Sequence, residues 1–521
     1  MLSILNTNRN LAGGCRRIWC DRLDKLRHPT SRSVALQRLL RIEYGGAYTA
    51  LIGKGPNTVS EKSAGDDDQE EEDALEISIA RALDARDRRL VTELVSGVTR
   101  WQRKLAWVLI NLPKPTKLDS MDAPLRIILL LGAYEILELG LPGHAVSEYV
   151  TLAKNVMHEG CGKVTNGVLR SLVRCVESKT VPKVPVPSAD ASDEEFAALA
   201  SIAMSHPPWM VKKWIRQFGR QETLKLMRKN NQRPTYSVRL TGLRAITESE
   251  LAIAENVAQQ WNAEYGVSVR PSRYLPSEFL VVESGMQKII SNGLLDQGKA
   301  QVQDEAAGLV VSVVDPKPGE SILDCCAAPG GKTMFIAARM RYLGRLVAVD
   351  LNPARIRALN GMARRQLSAV PDDLGRQRKF SFQCIATDAR QYCHNCSQSN
   401  DLFDKVLVDA PCSGTGVLAK RADLRWKRQP KDVAELYDLQ STLLDAAAKA
   451  TRPGGLLIYS TCSIEQEENS YVVYSFLENH PEFALDPITG EEWVTSQGFL
   501  TLLPHIHGTD GSFAARLRKL S

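Results

Sequence analysis

From Gln301 onward the chain alternates short apolar runs with helical stretches, and this alternation constrains the fold more than any other feature. ESILDCCA, GRLVAVD, FSFQCIATD, FDKVLVDAP and GGLLIYSTCS have strand length and end in small or acidic residues. Between them PARIRALNGMARRQL and VAELYDLQSTLLDAAAKA repeat apolar residues at helical spacing. Alternation of this kind builds βαβ units around a parallel sheet. Residues 301–521 are therefore expected to form a doubly wound, mostly parallel α/β domain of Rossmann-like type.

Ligands of such sheets bind beyond the carboxyl ends of the strands. The first strand ends in DCCAAPGGKT, where small residues and two glycines let a ligand approach the backbone just before a helix begins. A phosphate-binding Walker loop would need GxxxxGK[ST], and no glycine stands five residues before Gly331, so ATP is disfavoured. Asp324, Asp350, Asp388 and Asp409 close four strands. One strand-end acid could be a helix cap or a solvated end. Four around a glycine loop suit a nucleoside cofactor with a positively charged group, and S-adenosyl-L-methionine fits, its sulfonium and amino groups answered by carboxylates. No metal is expected: Cys393 and Cys396 in CHNC have zinc spacing but lack a second pair, and the segment reads as a polar loop.

The 11 cysteines are odd in number and scattered, which is no disulfide framework and points to a reducing compartment. Cys325, Cys326 and Cys384 read as packing. Cys412 in VDAPCSG and Cys462 in YSTCS follow the ends of two strands expected to be neighbours, so both can face one crevice. Two thiols beside a methyl donor suit a particular problem. Carbon 5 of a pyrimidine is a weak nucleophile until a thiolate adds to carbon 6. One cysteine would add and the other assist release, while Asp409 hydrogen-bonds the ring edge.

Residues 29–180 carry helical periodicity throughout, with Thr30 as a candidate N-cap, and are expected to form an all-α bundle. The acidic run within 59–74 reads as a disordered insertion. Residues 181–199 read as a linker, and 200–300 as a small α+β module with basic helices bearing Trp209 and Trp214. The net charge of +6 includes the acidic run, so the remainder is more basic and favours a polyanionic partner. In LAKRADLRWKRQPK, Lys420, Arg421, Arg425, Lys427 and Arg428 surround Trp426, the combination that phosphates and bases require. This segment is expected to touch nucleic acid. The first 28 residues contain arginines and resemble a transit peptide for a mitochondrion or plastid, the cytoplasm being the alternative. No apolar run is long enough to span a membrane.

FDKVLVDAPCSG at 403–414 resembles the signature of the RNA cytosine-C5 methyltransferases, the NOL1/NOP2/Sun family. QDEAAG, DCCAAPGGKT, DLNPARI and YSTCSIEQEEN are similar to its other motifs, in order. LLLGAYEI, HAVSEYV and NGVLRSL resemble the RNA-binding antitermination factor NusB, a fusion similar to the bacterial Sun/Fmu branch. The resemblance implies S-adenosyl-L-methionine as donor and a cytosine of small-subunit rRNA as target, with no DNA substrate; the segment around Trp426 is then expected to touch RNA, with the target base flipped from its stack, and the enzyme is expected to be monomeric. It implies a donor site of Cys326, Ala327, Ala328, Pro329, Gly330, Gly331 and Lys332, completed by Asp350, Asp388 and Asp409. It also implies Cys462 as nucleophile and Cys412 as the residue that assists release; DNA enzymes attack with the Pro-Cys cysteine instead. Two features depart from the family: Ser512 replaces a usual aromatic, and KRADLRW lacks a proline before its aspartate. A tRNA target, or a catalytically silent RNA-binding assembly factor, remain the alternatives.

Overall fold

A computed structural model describes residues 29–44, 83–188, 190–241, 248–368 and 380–520. The suggested transit peptide and the acidic insertion lie outside these residues. The chain divides into two compact units: residues 1–231 with 420–427, and residues 232–419 with 428–521.

The first unit is helical: α1 (Ser31–Tyr44), α2 (Ala85–Ile110), α3 (Ala123–Leu137), α4 (Pro142–Val156), α5 (Glu159–Glu177), α6 (Asp193–Ala203) and α7 (Pro208–Asn231). Thr30 caps α1 as the sequence suggests, its hydroxyl accepting from Ser33 N–H at 3.2 Å. The apolar α3 is buried along nearly its whole length and forms the centre of the bundle. Gly97 of α2 lies against the Tyr134 ring of α3, where a Cβ would come within 2.0 Å of the ring, so only glycine allows this approach. Glu135 of α3 is fully buried and accepts from the Arg32 guanidinium and, at 2.9 Å, from the Tyr149 hydroxyl.

Two expectations change here. The helix α6 begins inside the stretch read as a linker: Ser192 accepts from Glu195 N–H at 3.1 Å, and Asp193, Glu194 and Glu195 fill the first turn. What looked like an acidic spacer is an N-cap followed by acids that favour the positive end of the helix. The expected 200–300 module is also divided, since residues 200–231 belong to the helical unit. Trp214 is fully buried with its ring edge against His206, in the core, as tryptophans at helical spacing usually are.

The second unit holds two sheets. β1 (Tyr236–Leu240), β2 (Ser268–Pro271), β3 (Phe279–Ser284) and β4 (Ala300–Val302) form an antiparallel sheet in the order β2-β3-β1-β4, and α8 (Glu248–Tyr265) lies between β1 and β2 in the chain. The larger sheet contains β5 (Ser321–Asp324), β6 (Gly344–Asp350), β7 (Phe380–Ala386), β8 (Phe403–Asp409), β9 (Thr451–Thr461), β10 (Phe483–Leu485), β11 (Leu500–Leu502) and β12 (Ser512–Lys519). Strands β7-β6-β5-β8-β9 are parallel, and β12 adds antiparallel beside β9. The connecting helices are α9 (Glu305–Val314, leading into β5), α10 (Gly331–Arg339), α11 (Pro353–Ser368), α12 (Ala389–Ser399), α13 (Pro430–Ala450) and α14 (Ser470–Asn479). The doubly wound α/β expectation holds. CHNC is a helical segment rather than a polar loop: Cys393 and Cys396 lie three apart on α12 and are both buried in the core. No described helix is long and apolar enough to cross a membrane.

Candidate active site

The strand order reverses between β5 and β8, and a crevice opens where successive connections leave toward opposite faces of a sheet. Asp324 ends one of these strands and Asp409 the other. Residues 325–330 form the turn from β5 into α10, which Gly331 and Lys332 open. Gly330 has φ +105°, and a Cβ there would lie 2.7 Å from Leu359 Cγ, so this turn needs glycine. Asp350 organises the turn: its Oδ2 accepts from Ala328 N–H at 3.2 Å, its Oδ1 accepts from Asn352 N–H at 3.0 Å, and Arg355 pairs with it at 3.4 Å.

Asp324 is buried, accepts from the Thr333 hydroxyl at 2.7 Å through Oδ2, and leaves Oδ1 without a hydrogen-bond partner among the described residues. Burial pushes its carboxyl up to about 7, with the Asp409 charge adding to the effect. An orphaned carboxylate oxygen beside a glycine turn fits the ammonium group of an amino-acid-bearing donor. Leu351, next to Asp350, is 71% exposed and offers an apolar surface where an adenine ring could rest. Asp388 sits at the same sheet edge, but its carboxylate caps α12 through Arg390 N–H at 2.8 Å and pairs with the Arg390 guanidinium. Lys332, expected on the donor, directs its ammonium to Asp409 Oδ2 at 2.8 Å, and Ser460 Oγ donates to Oδ1 at 2.8 Å. Burial opposes the Lys332 charge, yet Asp409 overcomes it and raises the group above its ordinary value.

Cys412 follows β8 and Cys462 follows β9, and their sulfurs are 3.2 Å apart. The two loops that carry them are stitched together. Gly416 N–H donates to the Cys462 carbonyl at 3.0 Å, and Gly511 N–H donates to the Gly416 carbonyl at 2.8 Å. A Cβ on Gly416 would meet both the Gly511 and Cys462 carbonyl oxygens within 2.7 Å, which explains a side-chain-free residue in SGTG. The two thiols are electrostatically unequal. A hydrogen bond from Cys412 lowers the Cys462 thiol, with Lys332 acting in the same direction against burial and Asp409. Cys412 is raised by its bond to Cys462, by burial and by Glu468. Lys332 thus favours a thiolate on Cys462, and Glu468 disfavours one on Cys412.

The basic segment does not form a solvated face. Arg425 is fully buried within the helical unit, donating to the Ser205 carbonyl at 3.1 Å, to Asn231 Oδ1 at 2.8 Å and to the Asn230 carbonyl at 3.2 Å. The Trp426 indole N–H donates to the Thr99 carbonyl at 2.7 Å. Neither is placed as an RNA contact. Arg421 and Lys427 lie 3.4 and 3.7 Å from the buried Asp423, and Lys420 is half-buried. Arg428 grips the Cys412 loop itself, donating to the Ser413 carbonyl at 3.0 Å and the Cys412 carbonyl at 2.9 Å. Sequence reasoning assigned no role to Glu468, Gln440 or Ser463, which surround the two cysteine loops. Glu468 stood within a quoted motif, but nothing distinguishes it there from the neighbouring acids.

Comparison with known proteins places this arrangement. Residues 311–518 match the family described as 16S rRNA methyltransferase RsmB/F, residues 57–174 the NusB family, and residues 206–279 the RsmF/B-like ferredoxin-like domain. A probable ribosomal RNA small subunit methyltransferase B of Bacillus subtilis is 31% identical over 94% of this chain and 98% of its own. A protein of the same description from Synechocystis is 32% identical over 85% of this chain and 95% of its own. Among solved structures, the chain called PH0851 superposes with a TM-score of 0.67 at 26% identity, covering 86% of this chain and 94% of its own. With the helical, ferredoxin-like and catalytic segments matched in order, the chain belongs to the RsmB/F family of S-adenosylmethionine-dependent 16S rRNA methyltransferases.

Proposed function

We propose that the enzyme methylates carbon 5 of a cytosine in small-subunit rRNA through a covalent adduct with Cys462. The observation that carries this reading is the pair of sulfurs 3.2 Å apart at the ends of β8 and β9, with Asp409 and Lys332 beside them. Asp324, Asp350 and the 326–331 turn would hold the donor, which supplies an electrophilic methyl group when bound. The Cys462 thiolate adds to carbon 6 of the ring and makes carbon 5 nucleophilic. Lys332 and Asp409 present a donor and an acceptor side by side, the complement of a cytosine edge. After methylation the carbon 5 proton leaves to solvent, its electron pair restores the ring double bond, and the Cys462–carbon 6 bond breaks. The Cys412 thiol, in contact with Cys462, hydrogen-bonds the departing thiolate and so assists release.

Cys412→Ala should accumulate an RNA adduct that survives denaturing electrophoresis, and Cys462→Ala should give neither adduct nor product. Adduct from the Cys462 variant would reverse the assignment. Bisulfite sequencing after loss of the protein tests the substrate: one rRNA cytosine should lose its methyl group. Loss confined to a tRNA would refute the rRNA target.

A further inference from the structure

Glu468 is fully buried, and both of its oxygens are hydrogen-bonded. Oε1 accepts from Ser413 N–H at 2.7 Å and from Gln440 Nε2 at 3.1 Å. Oε2 accepts from the Ser463 hydroxyl at 2.6 Å and from the Ser413 hydroxyl. Ser413 follows Cys412 and Ser463 follows Cys462, so one side chain clamps the residue after each cysteine. All four donors are neutral.

We propose that Glu468 is a positioning residue that both locks the two cysteine loops in register and keeps the proton of the thiol pair on Cys412. This rests on the reading of Cys462 as nucleophile and supplies what that reading lacks: a reason why, of two touching thiols, one attacks and the other remains a donor. The surrounding charges divide accordingly. Lys332 of α10 favours the thiolate on Cys462, while Asp409 of β8 and Asp510, two residues before β12, oppose it. On the Cys412 side stands the buried charge of Glu468. The Arg428 guanidinium is a counterweight there, but it faces the carbonyl oxygens of Cys412 and Ser413. The phenol of Tyr459 on β9 donates to the Glu468 carbonyl at 2.6 Å and adds no charge. A fixed anion beside one member of a proton-sharing pair disfavours ionisation of that member.

The test is partial alkylation of the full-length enzyme with iodoacetamide between pH 6 and 9, with Cys412 and Cys462 peptides quantified by mass spectrometry. Glu468→Gln can retain the hydrogen bonds, its amide N–H donating to the serine hydroxyls, while removing the charge. It should raise the Cys412 share of alkylation roughly three- to tenfold. Glu468→Asp keeps the charge and should retain most of the wild-type bias. An unchanged share in a folded Glu468→Gln protein refutes the proposal, as does an equal change in both variants. Should Glu468→Gln fail to fold, Cys462→Ser leaves Cys412 alone beside Glu468. Its alkylation midpoint should then lie above the ordinary thiol value of about 8.5, and a midpoint at or below that value overturns the proposal. Adduct formation by Cys462→Ala with RNA would instead sink the nucleophile assignment, a result that the alkylation ratio cannot mimic.

Discussion

One oxygen of Asp324 has no hydrogen-bond partner among the described residues, and its carboxyl is raised to about 7 by burial. If this group answers the positive charge of the donor, its ionised form is the binding form. The sign then follows: donor affinity increases as pH rises through about 7 and levels above it. Between pH 8 and pH 6 calorimetric affinity should fall by about tenfold, since the ionised fraction falls by that factor. Asp324→Asn, which can keep the bond from Thr333, should weaken binding at pH 8 and flatten the profile. A wild-type slope that persists in Asp324→Asn would move the titration to another group. The contrast with Asp350 is instructive, because both oxygens of Asp350 already receive backbone N–H groups and hold the turn in shape. Two aspartates that look equivalent in sequence thus differ in what their oxygens already hold: both of Asp350 accept backbone N–H groups, whereas only one of Asp324 is engaged, by Thr333.

The turn between β5 and α10 makes the corresponding prediction at the level of an element. Gly330→Ala would require φ +105° of a residue with a side chain and push Leu359 Cγ from 2.7 Å. Strain of about 1–3 kcal/mol is expected, read as donor affinity weaker by roughly five- to a hundredfold with the alkylation ratio of Cys412 to Cys462 unchanged. A normal donor affinity in the folded variant would show that the turn tolerates the side chain. Elements of this kind were legible in the sequence because local chemistry specifies them. The apolar runs ending in Asp324, Asp350 and Asp409 are strands, and the cysteines after the last two parallel strands do meet. Where the sequence misled, a local pattern had two physical readings. Asp193, Glu194 and Glu195 suit a solvated spacer or the first helical turn, and the neighbouring Ser192 decides. Cys393 and Cys396 suit a loop ligand pair or one face of a helix, and burial decides. Glu468 could not be singled out within IEQEEN, because its partners Ser413 and Gln440 come from elsewhere in the chain.

Across the whole molecule, residues 420–427 belong to the helical unit although the residues on both sides belong to the other. The cations of this segment look in sequence like a nucleic-acid surface, but Arg425 is engaged by three oxygen acceptors in the core of the helical unit. Burial, with the like charge of Arg100 adding to it, pushes the guanidinium down to about 9, a cost that a phosphate-binding side chain in solvent would not carry. Arg425→Met should therefore act on folding rather than on recognition. Leaving the Ser205 and Asn230 carbonyls and Asn231 Oδ1 without that donor is expected to cost about 2–4 kcal/mol, measured by denaturant unfolding of the full-length protein. The salt dependence of RNA binding, measured where the variant is folded, should keep its slope, whereas removal of a true phosphate contact would reduce it by about one. A reduced slope with unchanged stability would return Arg425 to the RNA surface and contradict its burial.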